Sequence, residues 1–205
     1  MTYINHDLFV AGLNYYIDHI QIELRHNRAD VLRHLVDPLC ALASGFIVIC
    51  HGTPRYEGNH KEFKTYMFSA VASQTDEKTW MEHAVPLLVI EKYLLQERES
   101  YSEPAQRKEL LALIQHLVVP CVVNGEQNSK LNTEHRSTMP HGWDAAPEWR
   151  NWNVWARYLK AEVQHESVER SEKTEARVAE AKCIVKSLND DLTPTAATDR
   201  CNHPN

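Results

Sequence analysis

The sequence predicts an all-α fold, an irregular helical bundle with a long C-terminal helix. Three observations predict it. Apolar residues recur at steps of three and four along most of the chain, which is the spacing of one helix face. Only 6 of 205 residues are Gly, too few for the tight turns of an all-β chain. Finally, about forty residues from Pro147 to Leu188 contain no Gly and no second Pro, while Trp149, Trp152, Ala156, Leu159 and Val163 mark a single helical stripe.

A helical body over residues 1–123 is built as follows. Asn5 caps a first helix that carries Asp7 in its opening turn and turns Phe9, Leu13, Tyr16, Ile17, Ile20 and Leu24 inward, ending near His26. A short helix covers Ala29–Val36, and Asp37-Pro38 restarts the chain into an apolar central helix, Leu39–Cys50. The β-branched run Phe46–Cys50 leaves a buried strand as the alternative there. Residues 52–59 read as a loop. Asn59-x-x-Glu62 resembles a capping box and opens a helix with Phe63, Tyr66, Met67, Ala70 and Val71 inward. Thr75 caps the next helix, which Pro86 kinks near His83–Val85 before Leu87, Leu88 and Leu94. Ser102 and Pro104 then start a helix that ends near Val118, before Pro120.

Residues 124–146 lose the periodicity and read as an irregular loop. Residues 147–188 form the long helix, held in its polar middle by the i,i+4 pairs Glu166–Arg170 and Glu169–Lys173. The stripe resumes at Val178, Ala181, Val185 and Leu188. Residues 189–205 read as a disordered tail.

Composition narrows the function. The net charge of -6, with the acidic excess around Asp76–Glu103, speaks against nonspecific attraction to nucleic acid or anionic membrane. Nucleic-acid contact would have to use the basic stretch Arg25, Arg28 and Arg33. The 5 Cys show no C-x-x-C spacing, which favours a reducing compartment over a disulfide framework. The N-terminus lacks the basic and apolar regions of a signal peptide. The longest apolar run, Leu39–Cys50, falls short of the roughly twenty residues that span a bilayer. A cytoplasmic protein that does not enter the membrane is expected.

The chain has 12 His, so metal chemistry needs weighing. Glu23-x-x-His26 and Glu162-x-x-His165 match the tetrad used in di-iron bundles, but on a helical wheel both pairs point largely away from their apolar stripes. No metal site and no cofactor are expected. Arg28-x5-His34 resembles, in spacing alone, the Arg–His pair of HEPN-type helical ribonucleases. That resemblance implies a shared acid–base and phosphate-stabilising pair at a dimer interface. No nucleophile elbow or Gly-rich phosphate loop is present.

The segment Trp149–Tyr158 concentrates Trp, Tyr and Arg, the residues most enriched at binding hot spots. Trp149 and Trp152 face the stripe and are most simply core. Arg150, Trp155, Arg157 and Tyr158 are the expected partner-binding residues. The expected function is therefore a non-catalytic interaction module that binds, regulates or inhibits a larger protein assembly. Its partner is another protein or a second copy of itself as a homodimer. The enzymatic alternative is a HEPN-like ribonuclease using Arg28 and His34, and a third reading is a nucleic-acid-binding helical regulator.

Overall fold

A computed structural model describes residues 4–44, 47–50, 53–56, 68–69, 79–167 and 172–191. Among these residues eight α-helices form an irregular bundle, with short strands at its side. The chain is an all-α helical bundle ending in a long helix. No described helix is long and apolar enough to cross a membrane.

Helix α1 spans His6–Arg25 and is capped as expected: the Asn5 side chain accepts from the Leu8 N–H at 3.1 Å. Its C-terminus closes with Asn27 at φ 55. The Arg28 N–H reaches the Glu23 carbonyl and the Asn27 N–H reaches that of Leu24, which satisfies two otherwise orphaned acceptors. Helix α2, Ala29–Ala43, runs unbroken through Pro38, so the expected restart at Asp37 does not occur. Proline inside a helix costs about 3 kcal/mol. Leu35, Val36, Leu39 and Leu42 are buried on both sides of it, each side chain contributing roughly 1.5–3 kcal/mol. Burial wins.

The expected helix over Leu39–Cys50 stops at Ala43, and Ile47–Cys50 forms strand β1. Its antiparallel partner is β2, Thr53–Tyr56, where a loop was expected. Pro54 fits there because every strand of a two-stranded sheet is an edge. Of the helix expected to carry Phe63, Tyr66, Met67, Ala70 and Val71, only Phe68–Ser69 is described, and it is a strand (β3); the remainder lies outside the described residues.

Strand β4, Thr79–His83, replaces the expected kinked helix, and Pro86 sits just before a separate helix α3, Leu87–Gln96. Helix α4 (Arg98–Tyr101) and a 3-10 turn (Pro104–Gln106) lead into α5, Arg107–Leu117. Strand β5, Pro120–Asn124, pairs antiparallel with β4 over Thr79–His83. Strands β3 and β6 (Glu166–Ser167) extend this small sheet in the order β4-β5-β3-β6 by two residues each.

The irregular loop expected over 124–146 opens instead with helix α6, Gly125–His135. Asn124 and Gln127 form a reciprocal capping box with bonds of 2.9 and 3.0 Å. Among its described side chains Leu131 alone is buried, so the helix leaves no hydrophobic period to read. Gly125 brings the backbone against Trp80, where an added Cβ would lie 3.3 Å from the indole.

The long helix expected over 147–188 is not continuous. A 3-10 turn at Trp149–Asn151, a short helix α7 at Ala156–Lys160 and strand β6 occupy its first part. Asn153 explains the break, because its side chain accepts from the Trp155 N–H at 3.2 Å and offers the backbone an alternative to the helix. Helix α7 ends with Glu162 at φ 54, the Val163 N–H returning to the Tyr158 carbonyl. A left-handed L-residue is strained by roughly 1–2 kcal/mol. Glu162→Gly is accordingly expected to stabilise the protein by up to about 1 kcal/mol in urea unfolding, once the entropy Gly adds to the unfolded chain is subtracted.

Helix α8, Glu172–Asp191, is the long C-terminal helix and buries Val178, Ala181 and Val185 as expected. It extends three residues into the expected tail, whose remainder lies outside the described residues. Two cores result. Helices α1, α2, α3, α5 and α8 enclose the larger. The smaller, around Cys121, Val123, Leu131, Tyr158 and Val163, lies between the β4–β5 pair and helices α6 and α7.

Candidate functional site

Strand geometry sets the arrangement around α7. Alternate residues of a strand face opposite ways. Trp80 and Glu82 turn toward α7, and His83 turns toward α2. On the α2 side His83 Nε2 lies 3.0 Å from Asp37 Oδ1. On the other side Arg157, only 1 % exposed, places Nη2 at 2.9 Å from Glu82 Oε2 and donates from Nη1 to the His83 carbonyl at 3.1 Å. Tyr158 is fully buried. Burial, followed by the neighbouring Cys121, pushes its phenol far above the usual range, so it remains neutral.

These positions correct two of the expected partner-binding residues. Arg157 and Tyr158 are structural anchors, closed to a partner. The wheel that turned them outward assumed one uninterrupted helix, and the break at Asn151–Trp155 resets the phase. The other two keep accessible surface. Arg150 is exposed, pairs with both carboxylate oxygens of Glu109 at 2.9 and 2.6 Å, and lies 4.2 Å over the Trp149 ring. Trp155 is half-buried and stacks on His165 with ring centroids 3.5 Å apart.

Trp149 and Trp152 pack on the main core, as their place in the stripe suggested. Trp152 sits edge-on to Tyr93 and Trp143, and its indole N–H donates to the Ala146 carbonyl at 2.9 Å. Trp149 rests against His116.

No family model, curated protein or solved structure matches this chain. The chemistry of the site therefore has to be read from its own side chains.

The Asp37–His83 pair is a carboxylate–imidazole couple, but the nearest thiol on α2 is no nucleophile. Cys40 is buried, donates to the Val118 carbonyl at 3.2 Å, and has its pKa pushed up to about 12 by burial and then by Asp37. The thiol, not the reactive thiolate, persists at neutral pH. Among the described residues no three His, Cys, Asp or Glu side chains gather where they could hold a metal ion. Glu23, expected to point outward, is buried and held by Arg28 through bonds of 2.5 and 2.7 Å. His26 is exposed, as is Glu162.

The Arg28–His34 spacing is split by the same contact. Arg28 is committed to Glu23 just before α2, and His34 is exposed six residues along it. Of the basic stretch, Arg25 donates to the Ser102 carbonyl, and Arg33 is exposed.

Burial lowers the pKa of both His116 and His165 from the ordinary 6.5. The folded state thus favours their neutral forms. Their contribution is complete above pH 6.5 and is lost as pH falls from there through the lowered folded values. The melting temperature is expected to drop as pH falls below 6.5, and His165→Phe, which keeps a ring against Trp155, should reduce that drop. Melts at several pH values check it.

Of α7, Leu159 and Lys160 are left to solvent. Leu159 is 64 % exposed, the most open large hydrophobic side chain among the described residues, and follows Trp155 by one helical turn.

Proposed function

We propose that this chain is a non-catalytic protein–protein interaction module that binds, regulates or inhibits a larger protein assembly. The observation that carries the reading is Leu159, an open apolar side chain on a short helix pinned from beneath by Arg157 and Tyr158. An anchor held rigidly before binding loses little entropy on binding, which is how a small contact gains affinity. Trp155, on the same helical face, adds the type of residue that dominates interface energetics. The free thiols of Cys40 and Cys183 fit a reducing cytoplasm, and the reading needs no cofactor.

The test uses Leu159→Asp, a change at the surface that should leave the melting temperature within about one degree. A protein that co-purifies with the wild-type chain from the native host is expected to be lost with the variant. Retention of that protein by Leu159→Asp would remove this surface from the reading. RNA cleavage by the wild-type chain, abolished in a folded His34→Ala variant, would replace the reading with the ribonuclease alternative. Affinity for nucleic acid that falls steeply with salt would favour the third.

A further inference from the structure

Helix α1 carries a second stripe, apolar apart from His19, on the side opposite its buried one. Leu8, Ala11, Tyr15, His19 and Ile22 follow one another at helical spacing, with Tyr15 52 % and Leu8 36 % exposed. The stripe is organised at its centre. The rings of Tyr15 and His19 lie with centroids 4.0 Å apart, and His19 Nδ1 is 2.8 Å from the Tyr15 carbonyl. Tyr15 also rests edge-on against Tyr16, which is anchored in the core.

Its spacing reads the same from either end. Leu8 and Ile22 each lie seven residues from Tyr15, and Ala11 and His19 each lie four. Such a pattern complements itself when the second helix runs antiparallel, because a two-fold axis beside Tyr15 exchanges the two halves. Leu8 then meets Ile22 of the second copy, and small Ala11 accommodates the larger His19 of the second copy.

Charge selects the same direction. Asp7 and Arg25 stand five helical turns apart on one flank of the stripe, at the acidic start and basic end of α1. In the antiparallel arrangement a two-fold keeps that flank facing itself, and Asp7 falls within about 3 Å along the axis of Arg25 of the second copy. Two opposite-charge contacts result. In a parallel arrangement the two-fold runs along the helices and carries this flank to the opposite side of the interface, so neither opposite-charge contact forms. Between them on the flank, Asp18 is already neutralised by Arg107, which also donates to Asn14 at 2.6 Å. Arg25 uses one N–H on Ser102 and keeps others for a partner.

We propose that α1 is a self-association surface on which a second copy of this chain packs antiparallel about a two-fold axis at Tyr15. It is independent of the Leu159 surface. Sedimentation equilibrium of the full chain tests it. The mass is expected to rise with concentration from 23.7 kDa toward twice that value. Tyr15→Glu should return it to the monomer value with an unchanged melt. Asp7→Arg should also dissociate the pair, and adding Arg25→Asp should restore it, as only the antiparallel arrangement allows. A mixture of Leu8→Cys and Ile22→Cys chains should cross-link under mild oxidation to a greater extent than either alone. A chain that stays monomeric at all concentrations overturns the proposal. So does a dimer that survives Tyr15→Glu, or one that only Leu159→Asp disrupts.

Discussion

Arg157→Ala is expected to destabilise the protein by about 3–5 kcal/mol, because breaking a buried ion pair from one side strands the other charge. The guanidinium is almost wholly buried, and Glu82, partly open to water, sets the cost toward the lower end of that range. The His83 carbonyl loses its side-chain donor at the same time. Two further variants separate charge from volume. Arg157→Met refills much of the space yet still abandons Glu82, so it should recover only part of the loss. Arg157→Met combined with Glu82→Leu removes both charges and should approach wild-type stability, as buried pairs replaced by apolar residues often do. Urea unfolding of the three variants checks the order. Equal destabilisation by all three would mean that packing, rather than the ion pair, holds α7.

Trp152→Ala is expected to cost about 3 kcal/mol, the lower part of the range for removing a large aromatic from a packed site. Trp152 is partly buried, but it holds three groups together: Tyr93 from α3, Trp143 from the preceding segment, and the Ala146 carbonyl. Each edge-on aromatic contact contributes about 0.5–1.5 kcal/mol beyond burial. Its removal should free the stretch from Met139 to Trp155, whose apolar contacts with the body are Met139, Trp143, Trp149, Trp152 and Val154. Limited proteolysis should therefore cut this stretch much faster in the variant. Trp152→Phe, which keeps a ring without the indole N–H, should fall between the two.

The contrast between these segments and α1 explains what could be read in the chain. Helix α1 was legible from cap to inward face because Asn5, Asp7 and six apolar residues at helical spacing all agree. Helix α5 was similarly clear between Pro104 and Pro120. Helix α6 was missed because it buries Leu131 without a repeating stripe, although the pairing of Asn124 with Gln127 was a readable signal. Strands β4 and β5 were hidden for another reason. Trp80, Glu82, Cys121 and Val123 share one face, but a polar residue on it disguises the alternation. The long-helix reading failed because spacing records only that apolar residues recur. It does not record that Trp149 and Trp152 bury themselves at separate places, or that Asn153 turns the chain between Trp152 and Trp155. The error in phase then passed directly to Arg157 and Tyr158.

The neighbours Glu82 and His83 bear on how strand β4 finds its alignment. Sliding the strand by a single residue would invert both side chains. Glu82 would be driven toward the Asp37 carboxylate and His83 beneath the Arg157 guanidinium, setting like charge against like on one side and leaving the cation without its carboxylate on the other. The correct alignment is thereby proofread by electrostatics at a place where few apolar side chains could enforce it.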